Sequence, residues 1–96
     1  MPKLHDLAGQ IIHKELRKVY IKESPYYGNA FYKLIIRQDK NQEDSVFVYS
    51  NLVAKSVFQT IAQSHYIDKK YLFFCAKKPK RWVLHQWEEL PTKQPP

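Results

Sequence analysis

An alternation of apolar and polar residues runs through residues 31–37 and again through residues 46–49. Successive side chains of a strand point to opposite sides of a sheet, so a period of two predicts two strands here. One side of the first strand is apolar and carries Tyr32, Leu34 and Ile36. The other side mixes apolar with cationic residues, which are Phe31, Lys33, Ile35 and Arg37. The alternation leaves open which side faces the interior.

Three further segments also follow strand patterns. Residues 7–23 mix apolar and polar positions and predict a long or broken strand, with Gly9 at a bend or bulge; a helix over residues 15–18 is an alternative. A loop rich in Pro, Gly and Asn follows at residues 24–29. The other strands are expected at residues 30–38, 45–50, 70–77 and 82–90, with polar turns at residues 39–44 and 77–81.

The period changes between the third and fourth of these strands. Val53, Val57 and Ile61 recur every four residues, which predicts an amphipathic helix over residues 52–64. Either residue of the pair Ser50-Asn51 can cap its N-terminus, because a side-chain oxygen there accepts a hydrogen bond from the first turn. The helix therefore separates three N-terminal strands from two C-terminal strands.

This order of elements predicts an all-β fold with one helix. It matches a five-stranded OB-fold barrel, in which the helix between strands three and four fills one end. We expect the domain to span residues 7–90, between a polar lead at residues 1–6 and a flexible tail at residues 91–96. A chain of 96 residues is the size of one small domain. No apolar run approaches the roughly 18–20 residues of a membrane span.

Aromatic and basic residues are both in excess. The chain has 7 Tyr, 5 Phe and 2 Trp, and its 16 basic and 9 acidic residues give a formal net charge of +7. A positive charge of this size favours association with polyanions. Aromatic side chains beside cations favour single-stranded nucleic acid in particular, because its unpaired bases can stack on them.

The residues that usually carry catalysis or bind metals form no recognisable set. Cys75 is the only cysteine, which excludes an internal disulfide and favours a reducing compartment, either the cytoplasm or the stroma or matrix of an organelle. The four histidines lack zinc-ligand spacing. Glu88 and Glu89 are adjacent and point to opposite sides of a strand, so they form no acid–base pair. We expect no enzyme activity, no metal and no cofactor.

Three segments carry a resemblance to a known family. The first strand opens with Leu7-Ala8-Gly9-Gln10-Ile11, the third strand passes into the helix through Val46-Phe47-Val48-Tyr49-Ser50-Asn51-Leu52-Val53-Ala54, and Lys69-Lys70 lie before the fourth strand. In these features the chain resembles the single-stranded-DNA-binding protein family, including its small primosomal PriB-like members, over most of residues 7–90. The resemblance implies an OB-fold that binds single-stranded DNA and associates through its first strand as a homodimer or homotetramer.

An OB-fold binds nucleic acid across its second and third strands and through the loops that flank them. Cations in these elements contact phosphates, and aromatic side chains stack on bases. The candidate cationic residues are Lys33, Arg37, Lys77, Lys78, Lys80 and Arg81. The candidate stacking residues are Tyr26, Tyr27, Phe31, Tyr49 and Trp82.

Some aromatic side chains must fill the barrel instead of contacting nucleic acid. Those expected in the core are Phe47, Phe73 and Phe74. At least one of Phe31 and Tyr49 is expected to be exposed. Trp82 and Trp87 are five residues apart, so a regular strand would place one in the core and leave the other partly exposed.

The sequence therefore predicts a protein that binds single-stranded DNA with little sequence specificity, in DNA replication, repair or restart. RNA binding stays open, because the same side chains bind RNA and only contacts to the 2′-hydroxyl distinguish the two. A protein of another class also fits the composition. It would be a small basic adaptor subunit whose aromatic side chains lie at a protein interface.

Overall fold

The computed structural model describes residues 3–91, which contain five strands and one helix. In chain order these elements are β1 (Leu4–Lys18), β2 (Ala30–Asp39), β3 (Gln42–Tyr49), α1 (Lys55–Ala62), β4 (Lys70–Lys78) and β5 (Arg81–Leu90). All five strands lie where the alternation of the sequence predicts them, and their ends differ by a few residues. The predicted tail at residues 91–96 lies outside the described residues, except for Pro91.

The strands form a closed barrel in the order β1-β2-β3-β5-β4. Neighbouring strands run antiparallel, except for β3 and β5, which pair in parallel over a short stretch. The helix lies between β3 and β4 in the chain. A closed five-stranded barrel with its helix at this position is the OB-fold arrangement, so the predicted fold class is confirmed.

Barrel closure determines which side of β2 faces the interior. Tyr32, Leu34 and Ile36 are buried, and they join Val46 and Val48 of β3 in the core. The side that mixes apolar and cationic residues therefore faces outward. Because adjacent strands keep their alternation in step, the outward side of β3 lies beside that of β2 and extends one surface across both strands.

Strand β1 belongs to two ladders, which is what closes the barrel. Its first part pairs with β4 up to Gly9, and its remainder pairs with β2 from Gln10 onward. A Cβ atom on Gly9 would lie 2.6 Å from the carbonyl oxygen of Arg37, so only glycine allows this close approach. At Gly9 the strand changes partner from β4 to β2, and the bulge of β1 lies between Ile11 and His13 instead of at Gly9. The alternative helix over residues 15–18 is wrong.

The N-terminal segment joins the barrel earlier than expected. Strand β1 begins at Leu4, within the predicted polar lead, and Leu4 pairs with Ala76 of β4. The strand also ends at Lys18, whereas the sequence pattern extended it to residue 23. Backbone pairing with β4 accounts for the early start, since hydrogen bonds to a neighbouring strand do not require an apolar side chain.

The turn between β2 and β3 is shorter than the six polar residues at 39–44 indicate. Only residues 40 and 41 lie between the two strands. The backbone amide of Asn41 donates a 2.8 Å hydrogen bond to the Asp39 carboxylate. The β2–β3 ladder continues into the polar segment because polar side chains on the two strands form hydrogen bonds with each other. Arg37 donates to the carboxylate of Glu43, its partner in the β2–β3 register.

Helix α1 packs on the barrel through Val57 and Ile61, as the four-residue spacing predicts. It is shorter than the predicted range 52–64, and its N-cap is Ala54, which makes no side-chain hydrogen bond. The predicted cap at Ser50-Asn51 is therefore wrong, because these residues lie in the turn that precedes the helix. Among residues 3–91, no helix combines the length and the apolar character needed to cross a membrane.

The C-terminus of α1 is held by Lys14 of β1. The ammonium group of Lys14 donates to the Ile61 carbonyl at 3.0 Å and to the Ser64 hydroxyl at 2.9 Å. It also lies 5.7 Å from the ring centroid of Tyr32 and 5.8 Å from that of Tyr66. A cation at this end of a helix satisfies free carbonyls and complements the helix dipole, so Lys14 fastens the helix to the barrel.

Both tryptophans of β5 pack against the core. Trp82 and Trp87 are partly buried there, so the predicted division between one core and one exposed tryptophan is wrong. The reason is a shift in the β4–β5 register between Phe74 and Cys75, which leaves His85 as an extra residue on β5. An extra residue reverses the alternation beyond it, and residues five apart then face the same side.

Candidate nucleic-acid interface

Three aromatic rings cluster on the outward side of β2 and β3. They belong to Phe31, Phe47 and Tyr49, which we call the aromatic platform. Phe31 and Tyr49 are cross-strand partners with ring centroids 5.1 Å apart, and Phe47 lies 6.0 Å from Phe31 and 6.5 Å from Tyr49. Cross-strand pairing therefore builds one continuous aromatic surface from two strands.

The three rings are not equally accessible. Phe31 is only 9% exposed, whereas Phe47 and Tyr49 are half-buried. At least one of Phe31 and Tyr49 was expected to be exposed, but Phe31 is buried and Tyr49 is only partly exposed. Phe47 and Tyr49 offer ring surface to a ligand, and Phe31 supports them from within the cluster.

The predicted division of the phenylalanines between core and surface is correct for one residue of three. Phe73 is fully buried in the core. Phe47 and Phe74 are half-buried and pair with outward-facing positions, so their assignment to the core is wrong. The interior is already filled by the aliphatic residues of β2 and β3 and by Tyr32, Tyr66 and Tyr71.

Arg81 attaches a cation directly to the aromatic platform. Its guanidinium carbon lies 4.6 Å from the ring centroid of Phe47, and its Nη1 atom donates a 2.7 Å hydrogen bond to the Tyr49 hydroxyl. The parallel pairing of β3 with β5, in which Val46 is the partner of Trp82, brings the start of β5 beside the platform. Arg81 therefore holds a positive charge directly against two rings of the platform.

The two predicted cations of β2 differ in their surroundings. Lys33 is half-buried between its cross-strand partners, Glu15 of β1 and Phe47 of β3. Arg37 is exposed and forms an ion pair with Glu43, with 2.9 Å between Nη2 and Oε2. The carboxylate neutralises much of the charge of Arg37, so Arg37 adds little net positive charge to its end of β2.

The turn between β4 and β5 carries the remaining predicted cations. Lys78 and Lys80 are exposed, and within the described part of the chain neither forms an ion pair. Lys77 lies over the ring of Trp82, with its ammonium 4.2 Å from the ring centroid. Trp82 also makes an edge contact of 5.4 Å with His5 and packs against the core, so it lies apart from the aromatic platform.

A cleft of about 570 Å³ continues the aromatic platform at one end. It lies between the β1–β2 loop and the turn after β3. Phe31 and Tyr49 belong to both the platform and the cleft, and Arg81, which contacts the platform, also lines the cleft. Tyr26 lines the cleft, whereas Tyr27 does not and is 53% exposed. The structure thus brings Tyr26 to the predicted site and leaves Tyr27 outside it.

Sequence reasoning missed the apolar walls of this cleft. Tyr20, Ile21 and Leu52 line it and are exposed by 78%, 66% and 41%, respectively. They were missed because the strand predicted at residues 7–23 contains Tyr20 and Ile21, and the helix predicted at residues 52–64 contains Leu52. The shorter β1 and α1 of the structure leave all three in loops, where apolar side chains remain accessible.

Burial governs the ionisable groups inside the barrel. Cys75 is fully buried, and desolvation raises the pKa of its thiol to about 12, so it is neutral near pH 7. Desolvation, together with the charge of Glu89, also raises the pKa of Tyr71, whose ring stacks on Trp87 at 4.1 Å. In residues 3–91, no three His, Cys, Asp or Glu side chains come together as metal ligands.

Comparison with protein-family models, with curated proteins and with solved structures finds no match for this chain. Its fold and the geometry of the aromatic platform are therefore the observations on which a function can be argued.

Proposed function

We propose that this protein binds single-stranded DNA with little sequence preference, across the outward side of β2 and β3. The observation that carries the proposal is the placement of Arg81 against both Phe47 and Tyr49. A core needs no arginine at this position, and a surface that contacts only water needs no ring cluster. The combination suits a ligand with flat bases and a charged backbone.

Binding would use two kinds of contact. Phosphates would lie against Arg81, Lys78 and Lys80 and displace counterions from the strand, which makes the affinity depend on salt. Bases would stack on the ring of Tyr49 and on the part of the Phe47 ring that Arg81 leaves uncovered, each for about 1–3 kcal/mol. Ring faces accept every base, so stacking favours no particular sequence.

A salt titration tests the proposal directly. A fluorescently labelled oligothymidine of about 16 nucleotides, the upper end of the usual site size for one OB-fold, is titrated at several salt concentrations. We expect the logarithm of the association constant to fall linearly with the logarithm of salt, with a slope near −2 for about three phosphate contacts. Absence of binding at low salt, or an affinity independent of salt, would contradict the proposal.

A pair of matched variants locates the charge that matters. Replacing Lys78 and Lys80 by Ala removes two exposed cations beside the platform. Replacing Lys40 and Lys70 by Ala removes the same charge from a second cleft at the other end of the barrel. We expect the first variant to lose at least fivefold more affinity and to show a shallower salt slope. Equal affinity in all three proteins would favour the adaptor function instead.

The choice between DNA and RNA is made by competition. Matched DNA and RNA oligomers compete for the labelled oligothymidine, and stronger competition by RNA would reassign the ligand. Membership of the single-stranded-DNA-binding family, a role in replication, repair or restart, and a homodimeric or homotetrameric state belong to the same proposal. Measuring the molecular mass of the free and bound protein in solution tests the oligomeric state.

A further inference from the structure

We infer that the cleft beside the aromatic platform receives the base of one nucleotide of the bound strand, as a subsite distinct from the open stacking surface. This inference rests on the proposed function. The cleft has about 570 Å³, which lies within the range of about 300–1,000 Å³ typical of small-molecule sites. It is therefore large enough to enclose a flat ring that the platform could only cover on one face.

Continuity with the platform favours a nucleotide as the occupant. Phe31 and Tyr49 form part of the cleft lining as well as part of the platform. A base that follows one stacked on Phe47 and Tyr49 therefore meets the mouth of the cleft next.

The charges around the cleft are complementary to a phosphate backbone. Lys18 and Arg81 both line it, and among its described lining residues none is acidic. The walls between these cations are apolar, with Ile21, Tyr26 and Leu52 among them. An apolar interior beside cations matches a nucleotide, whose base is flat and poorly hydrated on its faces and whose phosphate is charged.

The wall of the cleft formed by the β1–β2 loop is tied in place by the backbone. The Val19 amide donates to the Asn29 carbonyl at 3.0 Å, and the Gly28 amide donates to the Val19 carbonyl at 2.9 Å. The Tyr26 amide donates to the Ser24 hydroxyl at 3.1 Å. Because hydrogen bonds within the protein order this loop, less ordering is required when a ligand binds.

Two side-chain amides add polar recognition inside the apolar cleft. Asn29 and Asn51 line it from opposite loops, and each amide carries both a donor and an acceptor. These are the groups that pair with base edges, whereas the platform offers only ring faces. The cleft is thus the part of the surface that can impose a base preference at one position of the strand.

An abasic scan tests the subsite. The shortest oligothymidine that retains full affinity is chosen, so that few binding registers exist, and single abasic sites are introduced at each position in turn. We expect one position at which base loss lowers affinity about tenfold, through loss of the contacts in the cleft. The same scan is then repeated with Ile21→Ala, and with Ile67→Ala as the matched control.

Ile21 and Ile67 are 66% and 61% exposed, so neither substitution should disturb the core. Of the two, only Ile21 lines the cleft. In Ile21→Ala, the penalty at the sensitive position should shrink by at least threefold, whereas Ile67→Ala should reproduce the original profile. A profile that is uniform, or identical in Ile21→Ala, would overturn the subsite while leaving strand binding intact. Failure of the unmodified protein to bind any oligothymidine would overturn the proposed function itself.

Discussion

The guanidinium of Arg81 donates a 2.7 Å hydrogen bond to the hydroxyl of Tyr49, 32 positions earlier in the chain. The bond joins the start of β5 to the end of β3, across the short parallel pairing of these strands. Because the same guanidinium also lies over Phe47, it sets the position of a charge relative to two rings. Contacts within the protein hold this arrangement, so a ligand that uses the charge and the rings together would pay a smaller entropy cost for ordering them.

Arg81 should therefore matter more than a cation that only adds charge. We expect Arg81→Ala to lower the affinity for labelled oligothymidine about tenfold at low salt, as measured by fluorescence anisotropy, because it removes both the charge and the support of Tyr49. Lys80→Ala, which removes one exposed cation from the neighbouring turn, should cost no more than about threefold.

A conservative substitution separates the two contributions of Arg81. Arg81→Lys keeps the charge but loses the planar group that stacks on Phe47. The salt slope should then stay unchanged while the affinity still falls several-fold. Full affinity in Arg81→Lys would mean that Arg81 acts as a point charge, and the argument from its geometry would be wrong.

Phe47 provides the most direct test of base stacking. Phe47→Ala should lower the affinity for oligothymidine by about 5-fold to 150-fold, which corresponds to about 1–3 kcal/mol for one stacked base. Phe74→Ala is the matched control, because Phe74 is also half-buried but lies on β4, away from the platform. Thermal unfolding of both variants shows how much of each effect comes from lost packing. Equal losses of affinity in the two variants would remove Phe47 from the site.

The barrel and its order of elements could be predicted because they depend on local patterns. Alternation marks each strand, and the four-residue spacing of Val53, Val57 and Ile61 marks the helix. The strand ends were less predictable, since they depend on pairing partners that are distant in the chain. Leu4 joins the barrel only because Ala76 lies opposite it.

Which residues form the site could not be predicted fully from the sequence, because it depends on how the strands pair with one another. Closure of the whole barrel determines which sides of β2 and β3 face the interior. The alternation within β3 alone therefore could not show that Phe47 points outward. The contact of Arg81 with Tyr49 requires the parallel pairing of β3 and β5. The cationic turn between β4 and β5 could be predicted because its charged residues are close together in the sequence. The ion pair of Arg37 with Glu43 was not predicted, because it depends on the register of β2 and β3.

The ion pair between Arg37 and Glu43 should limit how far the bound strand extends along the surface. Glu43→Gln frees the guanidinium and removes a negative charge, so we expect affinity for oligothymidine to rise about twofold to fivefold, with a steeper salt slope. Arg37→Ala should lower affinity by a similar factor, because it leaves the carboxylate of Glu43 uncompensated. The double variant Arg37→Ala/Glu43→Gln should change affinity by less than twofold, because the pair carries no net charge. Binding measured over a series of salt concentrations distinguishes these outcomes. A large loss in the double variant would show instead that phosphate displaces Glu43 from the arginine.

The buried thiol of Cys75 should make the protein less stable in alkali. Its pKa is raised from an ordinary value of 9.0 to about 12 in the folded state, so between these values the unfolded chain releases a proton that the folded chain retains. The free energy of unfolding then falls with rising pH by about 1.4 kcal/mol per pH unit from this group, and it is unaffected below about pH 9. Denaturant unfolding between pH 7 and pH 11 should show a steeper decline for the natural chain than for Cys75→Ala. Tyr71 is present in both proteins, so the contribution of its raised pKa cancels in the comparison. Parallel curves would mean that the thiol ionises equally well in the folded and unfolded states.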